Sequence, residues 1–238
     1  MTYPIYFVSL GPGEAELITL KGLHILRNAD RIYCPGTSCA KHTPVSRAVQ
    51  ILGQLGIDLP KVCMFSLPMS KNRTGAWQAY DRVALQAEAD YRAGKRVAIV
   101  AEGDAGFYSS VHYVYDKLAE TGVDVQRIAG IPAFIAAGAL AGLHIVKQEE
   151  ELHVIPGNCT VEALSGKIAE GRVVVIMKLS AAAEAVKECI GRHPEARFHY
   201  FENVGTEKEF YTSDRTLILQ KQFPYFSLMV IRPEDGLS

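Results

Sequence analysis

Two short loops hold the residues best suited to ligand chemistry in this sequence. Gly11-Pro12-Gly13-Glu14 follows the apolar run 5–10, and Glu102-Gly103-Asp104-Ala105-Gly106 follows the apolar run 97–101. In an open α/β sheet, ligands sit beyond the carboxyl ends of the strands, where small residues admit close approach to the backbone. Two such loops in one chain point to a single nucleotide-like ligand gripped from two sides. Pro12 lacks an amide donor and has a fixed φ, which suits a rigid wall better than a phosphate wrap. A plain strand-to-helix turn is the alternative for that loop. Asp104 puts a carboxylate at the mouth of a buried strand, where it can meet a ribose hydroxyl or a cationic group. Its other reading is a turn or cap ahead of a helix beginning near Ser109 or Ser110. A third small-residue turn, Gly130-Ile131-Pro132-Ala133-Phe134, again follows a strand pattern.

Several chemistries are disfavoured by what these loops are not. Gly11-Pro12-Gly13 is neither the dinucleotide GxGxxG nor the phosphate loop GxxxxGK[ST], so a P-loop NTPase and a nicotinamide oxidoreductase both fit poorly. The 25 basic and 26 acidic side chains leave a net charge of -1, with no electrostatic footprint for nucleic acid or an anionic membrane. A local basic pocket for a polyanionic small molecule remains compatible with that balance. Five scattered cysteines without a CxxC pair predict reduced thiols, with neither a metal site nor a disulfide framework. The apolar stretch 131–146 is broken by Pro132, Gly138, Gly142 and His144 and falls short of the roughly 20 residues of a membrane span. No secretory leader is visible at Met1-Thr2-Tyr3-Pro4. A soluble, cytoplasmic protein with no nucleic-acid or membrane partner is expected.

The elements that must carry these loops alternate between strand and helix, which predicts parallel or mixed sheets with crossover helices. Helices are expected over 15–28, 46–55, 76–93, 111–120 and 134–141, and an irregular stretch over 60–75. Short strands are expected at 31–34, closed by Pro35-Gly36, and at 125–128, 152–155, 173–177, 197–201, 217–220 and 227–231. Every position of 97–101 is apolar, as in a central strand buried on both faces. The close spacing of the last strands predicts antiparallel pairing. With 238 residues the chain is long enough for two domains. A boundary near Gly122 gives domains 1–122 and 123–238, both α/β, with a cleft between them.

These residues resemble a known family. Val8-Ser9-Leu10-Gly11-Pro12-Gly13-Glu14, with Leu17, Thr19, Leu20 and Lys21, resembles the opening motif of the tetrapyrrole methylases, S-adenosylmethionine-dependent enzymes of cobalamin and sirohaem synthesis. Ala29-Asp30-Arg31-Ile32-Tyr33 resembles their second-strand motif, and 94–104 their second strand and loop. Ala129-Gly130-Ile131-Pro132-Ala133 resembles their Pro-Gly-Ile motif, and Val175-Ile176-Met177-Lys178 a later strand at the cofactor. Gly-Asp-Pro of the family is Gly103-Asp104-Ala105 here, and Pro-Gly-Ile is Ala129-Gly130-Ile131, so two prolines beside the cofactor are missing. Phe107-Tyr108-Ser109-Ser110, Phe65-Ser66-Leu67-Pro68-Met69 and Phe226-Ser227-Leu228 resemble the subgroup that methylates C-20 of precorrin-2 or cobalt-factor II.

The resemblance implies two α/β domains of the tetrapyrrole methylase type, with the active site in the cleft between them. It implies S-adenosylmethionine as cofactor, S-adenosylhomocysteine as product, a tetrapyrrole substrate and a homodimer. It places Pro12, Glu102, Gly103, Asp104, Phe107, Tyr108, Pro132, Ala133 and Met177 at the cofactor. For Met177, Phe107 and Tyr108, ordinary core packing is the competing reading. The implied reaction is one in-line attack of a nucleophilic meso carbon on the sulfonium methyl. It needs two reactants held collinear and dry, and no catalytic group is assigned to it. Lys41, His42, Arg47, Lys71 and Arg73 are candidates for the substrate's carboxylates, or else solvated surface charges. Methylation at another ring position, or of uroporphyrinogen III, is the alternative within the fold. A non-enzymatic sensor of S-adenosylmethionine is the alternative outside catalysis.

Overall fold

The computed structural model describes residues 3–39, 42–68 and 74–233. It divides into two compact units, Met1–Pro132 and Ala133–Ser238. The division falls after Pro132 rather than near Gly122, because the strand that follows Gly122 belongs to the first sheet.

That sheet is built on β1 (Ile5–Ser9), β2 (Arg31–Cys39), β3 (His42–Val45), β4 (Val62–Pro68), β5 (Val97–Ala101) and β6 (Val125–Ile128). β1 lies between β5 and β6, parallel to both. One edge of β2 carries β4 in parallel from Ile32 to Ser38. The other edge carries β5 as far as Tyr33, then β3 antiparallel from Thr37. All five residues of β5 are buried, as its unbroken apolar sequence requires.

Alternate strand residues feed two separate cores. Ile5, Phe7, Val97, Ile99 and Ala101 face α3 (Thr74–Arg92) and α4 (His112–Glu120), meeting Tyr80, Val83, Ala87, Val114 and Leu118. Val8, Leu10, Ile32, Cys34, Ala98 and Val100 face α1 (Leu20–Asn28) and α2 (Arg47–Gln54), meeting Leu26, Ala48, Ile51 and Leu52. Helices leaving β1 and β5 therefore go to opposite faces of the sheet, the arrangement that opens a crevice at the carboxyl ends of two adjacent strands.

The second unit begins with α5 (Ala133–Leu140) and continues β7 (Leu152–Ile155), α6 (Val161–Ala169), β8 (Val173–Met177), α7 (Ala183–Arg192), β9 (Arg197–Glu202), β10 (Phe210–Thr212), α8 (Arg215–Gln220) and β11 (Ser227–Arg232). Its strand order is β10-β9-β11-β8-β7. Only β7 and β8 run parallel, and the others pair antiparallel, as expected for the C-terminal strands. α6, α7 and α8 cover one face through Leu164, Val186, Ile190 and Ile218. No helix among the described residues is long and apolar enough to cross a membrane.

Four local expectations need correction. The helix expected over 15–28 is split: Ala15–Leu17 is a single 3-10 turn, Ile18 and Thr19 are extended, and the Thr19 hydroxyl accepts the Gly22 N–H to start α1 afresh. β2 does not end at Pro35-Gly36. Pro35 falls in the gap between its β5 and β3 partners, where a missing N–H costs no ladder bond on that edge. The stretch expected to be irregular contains β4. The strand expected at 217–220 is α8, opened by the Asp214 carboxylate accepting the Leu217 N–H at 3.0 Å.

Candidate active site

The first two glycine loops are joined by their backbones. Gly11 N–H donates to the Gly103 carbonyl at 3.1 Å, Gly103 N–H donates to Gly11 at 2.7 Å, and Leu10 N–H donates to Ala101 at 2.8 Å. This short antiparallel bridge crosses the ends of two parallel strands, so the loops form one rim. Gly103 adopts φ +67°, and a Cβ there would meet nothing within 4 Å. The backbone at Gly103 is thus open on that side, and the left-handed conformation favours glycine.

The third loop is tied in through two side chains. Ser9, fully buried at the end of β1, donates its hydroxyl to the Ile128 carbonyl at 2.6 Å and accepts the Ala105 N–H at 2.8 Å. Asp104 accepts the Gly106 N–H with one carboxylate oxygen and the Gly130 N–H with the other, both at 2.7 Å. Gly130 fits only because it has no side chain: a Cβ would lie 2.3 Å from the Ser9 Cβ and 2.9 Å from the Gly103 carbonyl oxygen. Asp104 is therefore the clasp of the rim, a role nearer to its turn reading than to a ribose contact. Ser9 is the residue sequence reasoning passed over. Its signal was a hydroxyl ending an apolar strand, since a polar group buried there must find partners.

The remaining expected residues fall as follows. Pro12 is buried in the first loop, Phe107 is half-buried and Tyr108 is 44% exposed. The two rings meet edge-on at 4.7 Å. Tyr108 holds φ 50°, an unusual conformation for a residue with a side chain, of a kind that clusters at functional sites. Pro132 is half-buried just beyond the third turn. Ala133 and Met177 belong to the second unit: Ala133 opens α5, and Met177 ends β8, paired with Leu228 and half-buried. There a Cβ on Gly157, after β7, would stand 3.4 Å from the Met177 carbonyl oxygen. The structure thus groups seven of the nine in the first unit, at or next to the rim, and the other two lie in the second unit.

Glu102 has its own surroundings. It continues the Ala98–Val100 side of β5 toward α2, at the point where β2 has parted from β5. Burial raises its carboxyl above the ordinary carboxylate range, and the Arg47 guanidinium opposes that rise. Arg47 is itself pushed down by burial, an effect Glu102 counters. The Cys34 thiol nearby is pushed up to about 11, mainly by burial, with the Ser46 hydrogen bond opposing and the Glu102 charge adding to the rise. Ser46 fixes this corner by donating to the Pro35 carbonyl at 2.6 Å and capping α2 at Val49. Of the candidate substrate cations, Arg47 alone has a described side chain. His42 lies on β3, while Lys41, Lys71 and Arg73 lie outside the described residues, as does Met69.

Known proteins resemble this chain along most of its length. It is 28% identical over 231 residues to a precorrin-2 C(20)-methyltransferase of Sinorhizobium, covering 94% of this chain and 93% of that protein. It is 29% identical over 174 residues to a probable cobalt-precorrin-2 C(20)-methyltransferase of Methanocaldococcus jannaschii, covering 73% of this chain and 71% of the relative. Among solved structures, a cobalt precorrin-4 methyltransferase from cobalamin biosynthesis superposes with a TM-score of 0.70 at 16% identity, covering 96% of this chain and 94% of that one. A uroporphyrin-III C-methyltransferase of Thermus thermophilus, complexed with S-adenosylhomocysteine, superposes with a TM-score of 0.67 at 17% identity, covering 97% and 92%. The family model described as Tetrapyrrole (Corrin/Porphyrin) Methylases matches residues 4–216. With that match spanning both units, the chain belongs to the tetrapyrrole methylases.

Proposed function

We propose that this protein transfers a methyl group from S-adenosylmethionine to C-20 of precorrin-2 or cobalt-factor II, a step of cobalamin biosynthesis. The observation that carries the reading is the near full-length match to a precorrin-2 C(20)-methyltransferase, on a chain whose loop rim is intact. The rim suits the donor. A backbone left open at Gly103 admits a flat group, and the exposed Tyr108 ring beside Phe107 offers an apolar surface next to it. Gly103, Phe107, Tyr108 and Pro132 are the residues we assign to holding it, with Pro12 and Asp104 stiffening the loops from behind. We retain Ala133 and Met177 as cofactor-binding residues on family resemblance.

When bound, the sulfonium donor supplies an already activated methyl group. The chain's task is then to hold the rim rigid, align the ring carbon and exclude water. Three loops fixed to one another by side-chain and backbone bonds do this without reorganising. Arg47 supplies positive charge for a polycarboxylate ring. The protein acts in the cytoplasm, as a homodimer, in this reading.

Incubating the purified protein with methyl-labelled donor and each of precorrin-2 and cobalt-factor II tests the proposal. One labelled methyl at C-20, located by NMR, is the expected result. Labelling at another ring position, or of uroporphyrinogen III alone, would replace the substrate while keeping the reaction class. Tight S-adenosylhomocysteine binding with no transfer to any tetrapyrrole would favour a sensor.

A further inference from the structure

A meso carbon of a conjugated tetrapyrrole bears one hydrogen. Methylation there must discard that hydrogen as a proton if conjugation is to return. The carbon's π pair forms the new C–C bond while the C–S pair leaves on sulfur. The C–H pair then returns to the ring as its proton departs to a base. Resting on the C-20 reading above, we propose that the carboxylate of Glu102 is that base, taking the C-20 proton and passing it to solvent.

The placement of Glu102 supports this role. It is the first residue past the central strand β5 and adjoins Gly103, which forms the rim with Gly11. Its carboxylate accepts no hydrogen bond from any described residue, in contrast to Asp104, whose two oxygens are both committed to backbone N–H groups. A carboxylate that no described residue engages by a hydrogen bond keeps its lone pairs for chemistry. Partial burial makes it a stronger base than a solvated one, while Arg47 at the start of α2 preserves its ionised form. Among the described residues, the other titratable group facing it is the Cys34 thiol of β2, which burial keeps protonated and uncharged. Glu102 is thus the ionisable acceptor of this corner.

The test uses the full chain with Glu102→Gln, Glu102→Asp and Arg47→Gln. Wild-type protein must first place a methyl at C-20; failure there removes the functional reading, independently of the role of Glu102. Given wild-type turnover, Glu102→Gln is expected to lower the single-turnover rate of the final product, the methylated ring that has lost its C-20 proton, by about 100-fold or more, with the methylated but still protonated ring building up before it. S-adenosylhomocysteine affinity by calorimetry should stay within about threefold, and the melting temperature should hold. The acid limb of the wild-type pH–rate profile should vanish in Glu102→Gln. It should persist at reduced rate in Glu102→Asp, and move to higher pH in Arg47→Gln, where the ionised form loses its positive neighbour. Glu102→Gln retaining wild-type rate and acid limb would overturn the proposal. So would a loss confined to S-adenosylhomocysteine affinity with the rate at saturation unchanged, which would make Glu102 a cofactor contact.

Discussion

Ser9→Ala is the sharpest probe of how the rim holds together. The hydroxyl is fully buried and serves two backbone groups at once, the Ile128 carbonyl at 2.6 Å and the Ala105 N–H at 2.8 Å. Alanine removes one atom, leaves no sizeable cavity, and strands one buried acceptor and one buried donor. Each such orphan costs about 1–3 kcal/mol, so the first unit should lose about 2–6 kcal/mol. For a chain of this length that corresponds to a fall of about 4–24 °C in melting temperature. Urea denaturation followed by circular dichroism reads the global effect. Amide hydrogen exchange at Gly103, Ala105 and Gly130 reads the local one, and protection there should drop more than in β5. Ser9→Cys, which keeps a weak donor and acceptor, should fall between wild type and alanine. A Ser9→Ala protein within about 0.5 kcal/mol of wild type, with unchanged exchange at those three amides, would refute the account.

Three further outcomes are expected. Gly130→Ala forces a methyl to 2.3 Å from the Ser9 Cβ, so it should cost about 3 kcal/mol or more in denaturation and weaken S-adenosylhomocysteine binding in calorimetry. His199 is held neutral: burial, with smaller contributions from Arg232 and Arg197, pulls its pKa from 6.5 to about 4. The unfolded chain takes up the proton first, so stability present above about pH 6.5 is lost as pH falls toward 4. His199→Gln should remove about 3 kcal/mol of that acid sensitivity in denaturant titrations, and an unchanged slope would contradict it. Arg215→Lys should cost about 2–4 kcal/mol in melts of the second unit. Its guanidinium donates to the carbonyls of Ile190, His193, Pro194 and Ala196 at the end of α7, and an ammonium on a single stem cannot span them.

What could be read from the residues follows the strength of local signals. The unbroken apolar run of β5, the helix expected over 46–55 and the glycine loops at 11 and 103 are local features, and the structure agrees with them. The tail of β2, β4 and β10 were illegible because their strand character comes from pairing, and Pro35, Gly36 and Pro68 read locally as turn residues. In α8 the cap at Asp214 outweighed an apolar stretch that resembles a strand. The division after Pro132 was missed for the same reason: nothing near Val125 announces a partner as remote as β1. At the site, glycine positions were readable and connections were not. The pattern left Asp104 open between a carboxylate facing a ligand and a turn residue, and its bonds to Gly106 and Gly130 give it the turn role.

The rim also sets a timetable for folding. Its bonds link Ser9 to Ala105 and Ile128, and Asp104 to Gly130, spanning separations of 96, 119 and 26 residues. β1, made before both of its partners, waits for β5 and β6 before its two edges are satisfied. Such non-local closure is slow, because the loop entropy is lost before the contacts that repay it exist. A chain emerging from the ribosome can form its helices early, yet its rim lacks the third loop until Gly130 has been added and β6 has docked. Termination before β6, or an insertion that delays it, therefore yields a polypeptide with much of its secondary structure and an incomplete rim.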